Sequence, residues 1–412
     1  MSEKDLAQKI EMRRAFWAMG ASTRIDVKLG ALVDPARSKT RAGAEEWTDL
    51  DVLGVTSTPF AGTQFVVADC KTSRNRVTER VFWLRGVADL FGAQAAYLTR
   101  DGDIPESTRQ LALRLGVSAF DGADRASFLD QLGSALLPSA GAFLELETIR
   151  RWTRLTLETP DAIARLQRYR QTFYWLVRRG RNLTGLPTAI GRVAKSFDPE
   201  QRWAHALVAD LAWLYLVAVL DAIDEITRLH LADVSGGLLQ TVVGSEQDRR
   251  EKETLAKQLG DLFTHIDPSV RSRLPRLPIQ PPYFVDLVDL VIRVSRRRAE
   301  VTGALRALEF TGVETIANAG ARWPEAFPAA DPREAKLASD VIRFLVRACA
   351  LNPEFVNRFD QLTVPHVGAA GVAAHGSRGP SEPATELIRK GASDDERTLF
   401  SPDALTSTTP ID

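Results

Sequence analysis

Along the first 131 residues, short runs of alternating apolar and polar positions take turns with stretches of helical spacing. Thr23 to Leu29, Thr48 to Val55 and Gln64 to Asp69 read as strands, because β-branched and aromatic residues recur there with a period of two. Helical periodicity then covers Thr78 to Phe91 and Ser107 to Leu115, each followed by a further strand, Gln94 to Thr99 and Val117 to Phe120. This alternation predicts a mixed α/β domain.

From about Leu144 to Phe359 the strand signal vanishes. Apolar residues recur at Ile163, Leu166, Tyr169, Phe173 and Leu176 until Gly180 closes the run, which is helical spacing. The pairs Asp198-Pro199, Asp267-Pro268 and Asp331-Pro332 each set a capping carboxylate before a proline suited to a first helical position. Glu334, three residues after Asp331, predicts a capping box. Pro275, Pro278, Pro281 and Pro282 mark a break in the helical zone. The most apolar segment, Leu207 to Ile223, has an uninterrupted run only from Leu211 to Leu220, short of the roughly 18 to 20 residues that span a bilayer, and so predicts a buried core helix and no membrane association. Beyond Pro365 the chain is rich in Gly, Ala, Ser, Thr and Pro and predicts a disordered, flexible tail. The expected organisation is an α/β domain over 1–138, an all-helical domain over 139–365 and a tail over 366–412.

Composition narrows the choice of function. The 412 residues carry 53 basic and 53 acidic side chains, so any nucleic-acid surface is a local patch rather than a general coat. Such a patch is present: Arg150 to Arg202 holds twelve basic residues against four acidic, interleaved with Trp152, Tyr169, Tyr174, Trp175 and Trp203. The same pattern also fits a helix with a solvated arginine face over an aromatic core. Two cysteines and five scattered histidines exclude a disulfide framework and a thiolate zinc cluster. The charged residues Met1 to Gln8 lack the apolar core of a signal peptide, and a cytoplasmic setting is expected.

Candidate chemistry gathers on two predicted strands. In Thr48-Asp49-Leu50-Asp51-Val52-Leu53-Gly54, Asp49 and Asp51 share one face, and in Phe65-Val66-Val67-Ala68-Asp69-Cys70-Lys71, Asp69 and Lys71 share one face with Cys70 on the other. Clustered carboxylates with a nearby ammonium suit a hard divalent cation and an activated water. An acid-x-Lys triplet is expected about once by chance in a chain with 10 lysines, and this one holds three. Of these, Glu334-Ala335-Lys336 lies in a helix, and Asp26-Val27-Lys28 has no acidic strand before it. Only Asp69-Cys70-Lys71 follows a strand carrying Asp51 and precedes an amphipathic helix.

On these residues the stretch from Lys9 to Gln131 resembles the PD-(D/E)xK nuclease superfamily in its Mrr-like or Holliday-junction-resolvase-like branch. The order of parts is similar: a helix with Glu11, a strand, Thr48 to Val55 with Asp51, Val66 to Thr72 with Asp69 and Lys71, a helix, and a strand ending in Tyr97-Leu98-Thr99. Leu50 stands where the family often has proline. The resemblance implies a restriction-endonuclease-like fold, Asp51 and Asp69 as ligands of Mg²⁺ or Mn²⁺, Lys71 as the catalytic lysine and Glu11 as an auxiliary acid. Arg74 and Arg76, after the metal strand, and Arg178, Arg179 and Arg181, in the basic zone, are the candidate nucleic-acid contacts.

The expected function is that of a metal-dependent DNA endonuclease, by analogy in defence against foreign DNA or in repair. Its alternative is a catalytically silent nuclease fold kept as a DNA-binding or scaffold subunit. The helical domain is expected to engage DNA, a protein partner or a second copy of the chain, the last through Leu207 to Ile223.

Overall fold

The computed structural model describes residues 3–32, 44–71, 76–155, 159–177, 179–229, 232–244, 246–266 and 280–364. The predicted tail, Asp267-Pro268, Pro275 and Pro278 lie outside them. Helix α1 (Glu3–Ala18) leads into the strands β1 (Ser22–Leu32), β2 (Ala44–Thr58) and β3 (Gly62–Lys71). Then α2 (Val77–Phe91), β4 (Ala95–Arg100), α3 (Glu106–Arg114), β5 (Val117–Phe120) and α4 (Gly122–Leu132) complete the α/β part. All five predicted strands and both intervening helices are present.

The strands form one sheet in the order β1-β2-β3-β4-β5. The first three are antiparallel, joined by hairpins, while α2 and α3 act as crossovers that make β3, β4 and β5 parallel. Helix α1 ends because Gly20 takes φ 87°, a left-handed conformation that costs glycine nothing. Its neighbours then close the helix end, with Ala21 N donating to Phe16 O and Gly20 N to Trp17 O, both at 2.9 Å.

Each sheet face is covered. Met12, Ala15 and Phe16 of α1 pack with Val52, Ala68 and Cys70, beside Phe128 and Leu129 of α4. Leu53, Val67 and Leu98 join a larger cluster that passes through Val81 and Leu84 of α2 and on into the helical part without a break.

That part comprises α5 (Leu146–Thr153), α6 (Ala164–Arg168), α7 (Tyr174–Leu176), α8 (Asn182–Gly191), α9 (Arg202–Leu229), α10 (Val234–Val243), α11 (Glu246–Ile266), α12 (Phe284–Arg296), α13 (Val301–Ala317), α14 (Trp323–Ala326), α15 (Pro332–Ala348) and α16 (Glu354–Thr363). Helix α9 is apolar on nearly all sides from Leu211 to Leu220 and buried there, as a central helix must be. By length and composition it is the one described helix able to cross a bilayer, yet 94% of its most apolar window is buried inside the protein. Of the stretch Leu207 to Ile223, expected as a self-association surface, every residue but the half-buried Asp221 is buried within the chain. Met1–Pro365 forms one compact unit.

Three local expectations are corrected. The helix predicted over Asp161 to Leu176 is broken: a 3₁₀ turn, Asp161–Ile163, precedes α6, and a π-helical turn, Tyr169–Phe173, separates α6 from α7. Asp198 accepts from Glu200 N at 3.0 Å and caps a turn, while α9 starts later, at Arg202. Asp331 does cap α15, accepting from Arg333 N at 2.9 Å. Glu334, however, turns away from the capping box to cover Gly303 of α13, where an added Cβ would meet its carboxyl carbon at 2.0 Å.

Candidate functional site

Asp51 is buried in the middle of β2, at an irregular point of the sheet. The pairs of β1 with β2 pass from Ile25↔Val52 to Val27↔Leu50, and Asp26 between them takes φ 58°. A left-handed aspartate inside a strand stores strain of about 1–3 kcal/mol, which surrounding contacts must hold in place. Those contacts are polar. Lys9 of α1 sets its Nζ 2.7 Å from Asp51 Oδ1 and 2.5 Å from Asp26 Oδ1. The other Asp51 oxygen, Oδ2, accepts from Cys70 N at 2.7 Å.

Asp49 completes the group. One carboxylate oxygen from each of Asp26, Asp49 and Asp51 lies within 4.8 Å of the others, close enough for one ion to bind all three. Burial by itself would depress the Lys9 ammonium, but Asp51 and then Asp26 outweigh it and hold the group above its ordinary range. Burial, followed by the Asp51 charge, pushes the Cys70 thiol up, so it stays protonated and is no nucleophile.

The trio sits on one side of a cavity of about 730 Å³. The facing side comes from the helical part and includes Trp152, Arg170, Gln171 and Trp175. Arg24 of β1 also lines it. Arg24 makes a two-point pair with Asp210 of α9, at 2.9 and 3.2 Å, and Arg170 Nε donates to the same carboxylate. Burial would raise the Asp210 carboxyl, but Arg170 and then Arg24 outweigh it and keep it ionised. Two guanidiniums thus share one buried carboxylate, and the cavity brings them together with the carboxylate trio and with Lys28 and Glu46.

Of the residues singled out from the sequence, Asp51 belongs to the carboxylate trio. Asp69, also buried, has both oxygens engaged by Arg80 of α2, with Nε at 2.6 Å and Nη2 at 2.5 Å. Arg80 in turn lies over the Trp83 ring, 3.3 Å from its centroid. As the strand period requires, Asp69 faces α2 while Cys70 packs against α1. Glu11 is not brought to the trio. Two residues beyond Lys9 it points around the other side of α1, where Arg125 Nε of α4 holds it at 2.6 Å. Arg76 is exposed at the left-handed start of α2, 3.8 Å from Glu79, and Arg181 is exposed beside α8. Arg74, Arg178 and the side chains of Lys71 and Arg179 lie outside the described residues.

Lys9, Arg24 and Asp26 are not marked as site residues by the sequence, and Arg170 is marked only as one of the twelve basic residues between Arg150 and Arg202. In the sequence no acidic strand precedes Asp26. The hairpin supplies one from behind, since β2 folds back antiparallel and sets Asp51 level with Asp26. Lys9 did leave a signal: Leu6, Lys9, Arg13 and Phe16 follow helical spacing along one stripe of α1, and all four are buried.

No family model matches the chain, and no curated protein or solved structure matches it.

Proposed function

We propose that this chain is a divalent-metal-dependent nuclease acting on DNA, its sheet a restriction-endonuclease-like core. The observation that carries the reading is the trio Asp26, Asp49 and Asp51, whose oxygens lie within 4.8 Å of one another on a cavity faced by Arg24 and Arg170. Three hard oxygen donors suit Mg²⁺ or Mn²⁺, and guanidiniums suit phosphate. The order α1, three antiparallel strands, crossover helix and parallel strand, with Asp51 on β2 and Asp69 and Lys71 on β3, supports it further. Asp26, Asp49 and Asp51 would hold the ion, whose chemistry would be to polarise the phosphodiester and activate water. Asp69, the ligand implied by resemblance, would join them only by leaving Arg80. By analogy alone, the reading extends to defence against foreign DNA or to repair.

A second reading has its own observation. Lys9 already bridges Asp26 and Asp51, and Arg80 already neutralises Asp69, as expected of a nuclease fold retained for binding without cleavage. Plasmid and oligonucleotide cleavage with Mg²⁺ or Mn²⁺, together with Mn²⁺ binding by calorimetry, separates the two. Metal-dependent cutting lost in Asp51→Asn, with the fold kept by circular dichroism, supports the nuclease. DNA binding without cleavage or metal uptake, the same in native and variant protein, favours the silent module.

A further inference from the structure

We infer that the cavity takes an unpaired nucleotide, at a strand end or in a single strand, rather than a continuous duplex. The inference rests on the reading that the carboxylate site serves nucleic acid, and it names the form of that substrate.

Size comes first. About 730 Å³ lies within the roughly 300–1,000 Å³ range of pockets that enclose a small ligand, the scale of one or two nucleotides. A cavity of this volume is too small to hold a base-paired double helix, whose major groove alone admits a whole α-helix. Trp152 at the end of α5 and Trp175 in α7 line the same cavity as Asp51 of β2.

Beside the carboxylates Asp5, Asp26, Glu46, Asp49 and Asp51, the lining holds guanidiniums and indoles, the groups that suit the phosphate and the base of a nucleotide. Arg24 and Arg170 are positioned by Asp210, which takes up only one of their two positive charges and leaves the pair cationic toward a phosphate. The Arg24 guanidinium lies 5.7 Å from the Trp175 ring centroid, so a charged donor and an indole occur side by side. Single-strand sites combine a basic groove with aromatic rings on which bases stack, in this same pairing. Arg170 and Gln171 come from the π-helical turn Tyr169–Phe173, an irregularity of a kind found at functional sites and one that α-helical continuation from α6 would remove. Enzymes that act on a single nucleotide held in a pocket use strands that are already open or extrude the unit they act on.

The test is fluorescence anisotropy with the full chain in EDTA, so that binding is read without metal or cleavage. The ligands are a labelled single-stranded oligonucleotide, the same sequence as a blunt duplex, and the duplex with a three-nucleotide overhang, each also competed with a nucleoside monophosphate. The single strand and the overhang are expected to bind at least tenfold more tightly than the blunt duplex, with Trp175→Ala or Arg170→Lys reducing that binding severalfold. Competition by the monophosphate at concentrations near its own affinity assigns the recognition to the nucleotide unit; resistance to it assigns recognition to the strand end, and either agrees with the inference. Equal binding of blunt duplex and single strand by the native chain overturns it, whether or not the variants fold. So does undiminished single-strand binding in both folded variants. Metal-dependent cutting of an intact blunt duplex would overturn the inference and leave the nuclease standing, while single-strand binding without cleavage under any metal would do the reverse.

Discussion

Buried charge in this protein is concentrated on a few side chains whose partners lie far away in the chain. Lys9 holds Asp26 and Asp51 together, and breaking a buried ion pair from one side costs on the order of 3–5 kcal/mol. Lys9→Met is therefore expected to lower the melting temperature sharply in EDTA. If the trio binds metal, Mg²⁺ or Mn²⁺ will recover much of the loss, and a melt with and without the ion reads it directly. Glu314 of α13 is the opposite case. Both its oxygens are buried, and the backbone amides of Ala142 and Phe143 face it without closing a full hydrogen bond. Burial pushes its carboxyl up to about 7. With the folded value above the unfolded one near 4.5, the protonated form favours the fold, so this contribution is complete below about pH 4.5 and is lost as pH rises through 7. Glu314→Gln should flatten the pH dependence of the melting temperature and raise it at pH 8, with little gain at pH 5. At this scale the sequence was partly legible. The stripe Leu6, Lys9, Arg13 and Phe16 announces that α1 carries two charges to its buried side, but nothing local says which carboxylates await them.

At the scale of elements, the candidate site depends on how β1 pairs with β2. Their register shifts between Leu29 and Gly30, and Gly30 sits so close to the partner strand that an added Cβ would meet Glu45 O at 2.0 Å. The obstacle is backbone, which cannot swing aside. Gly30→Ala is expected to loosen the hairpin near that bulge, raising amide hydrogen exchange in β1 and β2 while α9 and α13 stay protected. If Asp26 and Asp51 are held level by this pairing, metal affinity should fall with it, although Gly30 touches neither. Strands and helices were well marked in the sequence because alternation and helical spacing are local and strong in this part of the chain. The segment from Asp161 to Leu176 read as one helix because its spacing is helical throughout. It breaks because Arg170 is drawn to Asp210 and Tyr169 to Asn182, at 2.6 Å, and these pulls outweigh a regular backbone.

Across the whole molecule, the sheet and the helical part are bound by charge as well as by a shared apolar core. Glu309 of α13 is buried and receives Arg13 at 2.9 Å, Trp17 Nε1 at 3.0 Å, Ser22 Oγ at 2.8 Å and Thr23 N at 2.7 Å, all from α1 and β1. Trp213 Nε1 of α9 donates to the same Ser22 Oγ at 2.8 Å. Glu309→Ala leaves Arg13 buried without its carboxylate and should cost about 3–5 kcal/mol, read as a shift in the urea midpoint. For the same reason residues 1–138 expressed alone should lack a cooperative melt and sharp amide dispersion, because their polar core is completed from α13; a well-dispersed spectrum would refute this. Periodicity alone was enough to mark the strands, the central apolar helix and the placing of Asp51 and Asp69 on successive strands, since side-chain direction follows from backbone geometry within a few residues. Which carboxylates meet, what neutralises them and what faces them across the cavity were decided only by the tertiary structure. Those choices join residues as far apart as Arg13 and Glu309, separated by 296 positions, and no local pattern can encode a partner at that distance.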